Sequence, residues 1–169
     1  MRLFIAVCFS DEIRGAAAEA AASAKKQGIR GKYTPLENLH LTLAFLGEMK
    51  SAAPVVKALE KLSFSPISME LFGSGSFGRI FYLGIRENPA LQDLAVNVRS
   101  FLSEAGICFD QKAFRPHITL IRDASGFSGK MVSVPPGKMT IRKISLMKSE
   151  MGRAGVKYTE IYAFRAGKR

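Results

Sequence analysis

Both histidines of this 169-residue chain stand in one tetrapeptide that is written twice, as His40-Leu41-Thr42-Leu43 and His117-Ile118-Thr119-Leu120. In each copy His and Thr alternate with two apolar residues, which is the period of a strand with one buried face. An imidazole and a hydroxyl therefore project side by side from one face of each strand. Thr is a good strand residue on its own account, and a single strand His is ordinary. Core packing, however, gives no reason to confine every His of a chain to one motif. The duplication points to a catalytic pair.

The repeat extends beyond the motifs. His40 and His117 are 77 residues apart, and Arg2-Leu3-Phe4-Ile5 recurs as Arg79-Ile80-Phe81-Tyr82 at the same offset. In the first half, an apolar strand from Arg2 to Phe9 leads to a helix capped by Ser10. Asp11 and Glu12 in its first turn, and Lys25 and Lys26 in its last, complement the helix dipole, and Gly28 suits the stop. The loop Thr34 to Asn38 delivers the first motif strand, Leu39 to Leu46, closed by Gly47. In the second half, the strand Arg79 to Arg86 leads to a helix capped by Asn88 and opened by Pro89. Leu91, Leu94, Ala95, Val98, Leu102 and Ala105 keep its 3.6-residue period and Gly106 closes it. The second motif strand is expected from Phe114 to Arg122.

Between the halves lie a helix from Ser51 to Leu62 and a strand from Ile67 to Phe72. A Ser/Gly/Pro-rich connection, Ser125 to Gly137, leads to two last strands, Thr140 to Lys148 and Val156 to Phe164, joined by a turn at Gly152 to Gly155. The expected fold is α+β: one domain over residues 1–169 made of two pseudo-symmetric lobes. Largely antiparallel sheets line a central cleft, with helices on the outer faces. A chain of this length can bury a substantial core.

Gly73-Ser74-Gly75-Ser76-Phe77-Gly78 has the spacing of a dinucleotide-binding fingerprint. That motif needs a following helix whose N-terminus holds the pyrophosphate. Here a strand follows, so the glycines read as a flexible hairpin loop. Cys8 and Cys108 sit in apolar surroundings and read as buried thiols of a reducing compartment rather than a disulfide framework. The apolar run Leu3 to Phe9 is too short for a signal peptide or a membrane span, and a cytoplasmic protein with no membrane partner is expected. The net charge of +11 favours a polyanionic partner, with nucleic acid first.

Two imidazoles with ordinary pKa values near 6.5 can divide the work of acid and base at neutral pH. One takes a proton from a nucleophile and the other gives one to the leaving group. The hydroxyls of Thr42 and Thr119 can donate to non-bridging phosphoryl oxygens, and Arg122 adds a planar cation suited to phosphate. With no conventional nucleophile constellation beside the histidines, water attacking a phosphodiester fits better than acyl transfer.

Asn38 to Glu48 and Arg115 to Arg122 resemble the paired His-x-Thr-x motifs of the 2H phosphoesterase superfamily, and within it the RNA 2′,3′-cyclic phosphodiesterases, also called 2′-5′ RNA ligases. The opening Met1-Arg2-Leu3-Phe4-Ile5-Ala6 and the Ser149…Gly155…Tyr158 pattern share the resemblance. Phe81 and Tyr82 depart from it, standing where family members often place Trp. The resemblance implies hydrolysis of RNA 2′,3′-cyclic phosphate ends to 2′-phosphomonoesters by a monomer without metal or cofactor. His40 would be proton donor and His117 acceptor, with tRNA fragments and cyclic nucleotides among the candidate substrates. Three other readings stand beside it. They are a metal hydrolase, a non-catalytic RNA-binding module, and a sister activity on 2′-5′ linkages, whether hydrolysis or ligation. Two His make a poor zinc site, which usually takes three or four protein ligands.

Overall fold

Nine strands and three α-helices are described in the computed structural model, which covers residues 1–129 and 132–167. In chain order they are β1 (Arg2–Cys8), α1 (Asp11–Lys26), β2 (Arg30–Tyr33), β3 (His40–Glu48), α2 (Ala53–Leu59), β4 (Ile67–Phe77), β5 (Ile80–Ile85), α3 (Pro89–Glu104), β6 (His117–Ser125), β7 (Lys138–Ile141), β8 (Lys143–Gly152) and β9 (Gly155–Arg165). A single 3₁₀ turn, Leu36–Asn38, stands just before β3. One sheet has the order β3-β1-β8-β9 and the other β2-β6-β5-β4-β7, and every described pairing is antiparallel. The fold is α+β with two lobes, as expected.

The halves of the sequence are interleaved rather than side by side. Each motif strand pairs with the strand that opens its own half, β3 with β1 and β6 with β5. On its other side β1 pairs with β8 from the second half, and β5 pairs with β4 from the first. The repeat runs through this exchange, because Ile67-Ser68 in β4 and Ile144-Ser145 in β8 are again 77 residues apart.

Alternation in β1 separates the core from the cleft. Leu3, Ile5 and Val7 point into one continuous apolar core that takes in both sheets and all three helices. Phe4 and Ala6 point the other way, with Met147 and, partly buried, Cys8, Phe45 and Tyr158. The helices thus cover the faces turned from the motif side chains. The side chain of Ser10 accepts a hydrogen bond from the Ile13 amide to start α1, and Asn88 does the same for α3 through Leu91. α1 packs against β7 of one sheet and α3 against β3 of the other. A Leu-to-Ala change at a fully buried position such as Leu3 or Leu83 carries the usual cost of about 2–5 kcal/mol.

Several expected boundaries shift. The Thr140 to Lys148 segment is two strands. Lys138–Ile141 adds to β4 in one sheet, and after Arg142 the chain crosses to the other sheet as β8. Arg142 and Lys143 stand at this crossing between the buried Ile141 and Ile144, and the partners change there. β2, polar and four residues long, carries no alternation and was not expected. Gly47 lies within β3, after a bulge opposite Leu3 and Phe4. The helix expected over Ser51 to Leu62 is only Ala53–Leu59, and its N-cap is Ala52 rather than Ser51, whose hydroxyl accepts from the Ala53 amide one residue further out. In the connection Ser125 to Gly137, residues 130 and 131 lie outside the described residues.

The glycine-rich stretch is strand rather than flexible loop. β4 runs through Gly73 to Phe77, and the turn proper is Gly78-Arg79, with Gly78 at φ +52°. A Cβ on Gly75 would strike the ring of Tyr82, so the glycine makes room for that ring. Cys108 is exposed, contrary to expectation. Its neighbours Ile107 and Phe109 pack toward the core and alternation turns the thiol outward. Among the described residues no helix is long and apolar enough to cross a membrane.

Candidate active site

The two motif strands approach one another across the lobes. Between them lies a cleft of about 500 Å³ lined by His40, Thr42, His117, Thr119 and Arg122, all five candidate residues together. Leu41, Leu43, Ile118 and Leu120 are buried on the opposite faces of the same strands. The alternation read from the tetrapeptides thus places chemistry on one face and packing on the other.

The two imidazoles are held by the same device. His40 Nδ1 lies 2.7 Å from the carbonyl oxygen of Asn38, and His117 Nδ1 lies 2.6 Å from that of Arg115. A carbonyl only accepts, so each Nδ1 carries a hydrogen and donates it. Each Nε2 is therefore the atom whose proton can come and go. The partner is two residues upstream in both cases, so the repeat includes the backbone geometry that fixes the tautomer.

Each ring is also wedged between two aromatics. His40 lies 4.9 Å from Phe4 and 5.1 Å, edge-on, from Tyr158, between ring centroids. His117 lies 5.2 Å from Phe77 and 5.6 Å from Tyr82, which stack on each other at 4.5 Å. Tyr82, one of the two residues that depart from the family pattern, thus buttresses an imidazole, whereas Phe81 is buried in the core.

The electrostatic settings differ. Burial holds His40 below the ordinary histidine pKa. The bond to Asn38 opposes that effect, and the positive charges of Arg122 and His117 add to it. Asn38 also donates its side-chain amide to the Val156 carbonyl at 2.9 Å. This bond pins the β8–β9 hairpin against the start of β3 and walls in the His40 side of the cleft.

β2 and the residues after it complete the opposite wall. Lys32, Tyr33 and Thr34 line the cleft. Thr34 donates its hydroxyl to the Thr119 carbonyl at 3.0 Å, and its amide bonds Leu120 at 2.8 Å. Lys32 pairs with Asp123 at 3.3 Å. No sequence cue marks Lys32 and Tyr33, since β2 shows no alternation, and Thr34 reads only as the start of a loop. The carbonyls of Asn38 and Arg115 carry no side-chain signal at all. Tyr158 stood in the quoted pattern near the last strand without a role, and its contact with His40 supplies one. Among the described residues no group of three or more His, Cys, Asp or Glu could hold a metal ion.

Two lobes joined at paired His-x-Thr-x strands, with both imidazoles opening on one cleft, define a 2H-type phosphoesterase. The family model for LigT-like phosphoesterases matches residues 7–82, which contain the first motif. An RNA 2′,3′-cyclic phosphodiesterase of Archaeoglobus fulgidus is 31% identical over 180 residues, spanning 97% of this chain and 99% of its own. One of Escherichia coli K12 is 33% identical over 142 residues, 78% of this chain and 77% of its own. The crystal structure of E. coli LigT complexed with 3′-AMP superposes with a TM-score of 0.81 at 29% identity, over 99% of this chain and 98% of that one. The chain belongs to the LigT-like phosphoesterase family of the 2H superfamily, and it is an enzyme of that class.

Proposed function

We propose that this enzyme hydrolyses 2′,3′-cyclic phosphate ends of RNA to 2′-phosphomonoesters by acid–base catalysis between His40 and His117. The observation that carries the reading is the paired tautomer lock. Both Nδ1 atoms are committed to backbone carbonyls, and both rings line one cleft with Thr42 and Thr119. In-line attack needs the nucleophile and the leaving oxygen on opposite sides of phosphorus. Two imidazoles on opposing strands can serve one side each. His117 draws a proton from water, and His40 gives one to the departing 3′-oxygen. Thr42, Thr119 and Arg122 hold the non-bridging oxygens, where preorganised donors meet growing charge.

The donor role asks His40 to be protonated in a setting that disfavours its charge. A bound phosphodiester carries the compensating negative charge, beside both His40 and Arg122, so substrate binding itself raises the donor's proton affinity. The names of the Archaeoglobus and E. coli relatives support the substrate class, and 3′-AMP on E. coli LigT supports a nucleotide ligand. The two imidazoles supply both proton transfers, so the scheme uses no metal or cofactor. The chain acts as a single two-lobed domain, as a monomer in the cytoplasm, on RNA ends, tRNA fragments among them.

The test is product identity. From 2′,3′-cyclic AMP the expected product is 2′-AMP, resolved from 3′-AMP by chromatography, with the rate unchanged after EDTA treatment. Predominant 3′-AMP would reverse the roles of the histidines or the orientation of the ribose. Turnover of 2′-5′ oligonucleotides alone would move the reading to the sister activity.

A further inference from the structure

Beyond His117 the cleft continues into a second cavity of about 520 Å³, sharing Thr42, Ile80 and His117 with the first. Three rings, Phe45, Phe77 and Phe114, line this groove together with Arg99, Lys112 and Arg115. Rings and cations interleave: the Arg115 guanidinium lies 5.7 Å from the Phe77 centroid and that of Arg99 lies 5.9 Å from Phe114. The groove is a built surface. Arg99 bonds the Leu43 carbonyl at 3.1 Å and the Lys112 carbonyl at 2.8 Å, and the Asp110 amide bonds the Phe45 carbonyl at 2.9 Å. These bonds tie the segment before β6 to β3, so the groove wall bridges both lobes. Among the described residues of the lining, Asp110 is the one acidic group. Its carboxylate accepts from the Lys112 amide at 2.9 Å and lies 3.9 Å from the Lys112 ammonium, which is left 89% exposed.

We propose that this groove carries the single-stranded RNA leading to the reacting terminus. The terminal nucleoside lies in the cleft and the nucleotides 5′ to it lie along Phe77, Phe114 and Arg115, with Lys112 on a backbone phosphate. Stacking platforms interleaved with cations fit a single strand, because every base offers a π face and every linkage a charge. The opposite end of the cleft fits a strand less well. It offers one ring, Tyr33, against the three of the groove, and its Lys32 is held to Asp123 at 3.3 Å, closer than Lys112 is to Asp110. The inference rests on the phosphodiesterase reading and names the path of its substrate.

The experiment compares kcat/KM of the full-length enzyme on two substrates, 2′,3′-cyclic AMP and an RNA oligomer of about ten nucleotides ending in a 2′,3′-cyclic phosphate. Lys112→Glu should cost about tenfold on the oligomer at low salt, and flatten the slope of log kcat/KM against log salt by about one. Cyclic AMP turnover should keep the wild-type rate. Lys112→Ala should give a smaller loss of the same kind. Lys57→Glu, on α2 and outside both cavities, should change neither substrate. Thermal melts matching wild type confirm that the variants are folded. Equal losses on both substrates would overturn the inference by placing the terminal nucleoside in the groove, and no loss on either would overturn it outright. Binding of the same oligomer ended in a 2′-phosphate is measured alongside by fluorescence anisotropy. If wild type turns over neither substrate while Lys112→Glu still weakens that binding, the phosphodiesterase reading falls and the groove stands.

Discussion

His40 and His117 share a motif, a tautomer and an aromatic wedge, yet they sit in different solvents. His40 is walled in by Phe4, Tyr158 and the hairpin that Asn38 pins through Val156. The bond that fixes it is partly buried, whereas the equivalent bond of His117 is exposed, beside an open groove. A twofold repeat thus yields a site without twofold behaviour. Desolvation lowers the pKa of His40, and the proposed donor role needs the charge of a bound phosphodiester to offset it.

Replacing either histidine should break the pair at once. His40→Ala and His117→Ala are each expected to lower kcat by about 10²-fold or more, measured on cyclic AMP. Their thermal melts should separate them: loss of the His40 ring leaves a void between Phe4 and Tyr158, while His117, whose fixing bond is exposed, leaves a space open to solvent. Equal melting losses would mean that the two settings differ less than their surroundings suggest.

The threonines should respond more alike. Thr42→Val and Thr119→Val keep the β-branched shape and remove only the hydroxyl. Each should cost about 10–10³-fold in kcat/KM, as single oxyanion donors do. Full activity in both would reduce them to strand formers.

pH sharpens the contrast. Burial holds His40 below its ordinary value of 6.5, and a pair in which one imidazole gives a proton and the other takes one should show a bell-shaped kcat/KM against pH, with limbs that belong to the pair. A profile rising steadily to pH 9 would remove the acid–base pair. Stability follows the same sign. The unfolded chain takes up the His40 proton first, so stability is full above 6.5 and declines as pH falls below it toward the folded-state value. Urea titrations at neutral and acidic pH should show this decline in wild type and less of it in His40→Phe.

The smallest effect is expected from Asn38→Ala. It keeps the carbonyl that fixes His40 and removes only the bond to Val156. A loss of about 1 kcal/mol in stability, with a modest rise in KM, would show that the hairpin wall matters less than the tautomer lock. A kcat loss as large as that of His40→Ala would show that the wall sets the imidazole itself.

Much of this molecule was legible because its two strongest signals, strand alternation and a repeat at fixed offset, are local. Cap residues Ser10 and Asn88 marked helix starts in the same way. What escaped depended on partners. Over Thr140 to Lys148 one strand was expected, yet the chain changes sheets at Arg142, because a pattern reports burial and not which neighbour provides it. The repeat itself slips by one residue. At the offset of 77, Phe81 answers to Phe4, but a register shift between Phe81 and Tyr82 turns Phe81 into the core and gives Tyr82 the place beside the histidine. Bulges leave no mark in composition. Of the walls of the cleft, the β8–β9 hairpin was expected as a hairpin but not as a wall beside His40, and β2 was not expected at all.

The exchange of β4 and β8 between the lobes also sets the order of assembly during synthesis. β1 is made well before β8, and its Leu3 pairs with Lys148, so its second edge stays open until β8 has been made. Contacts that span such separations are slow to form, and an unpaired apolar strand edge invites association with other chains. The strand that carries Phe4 to His40 is therefore the place where a stalled or truncated copy of this protein would aggregate first.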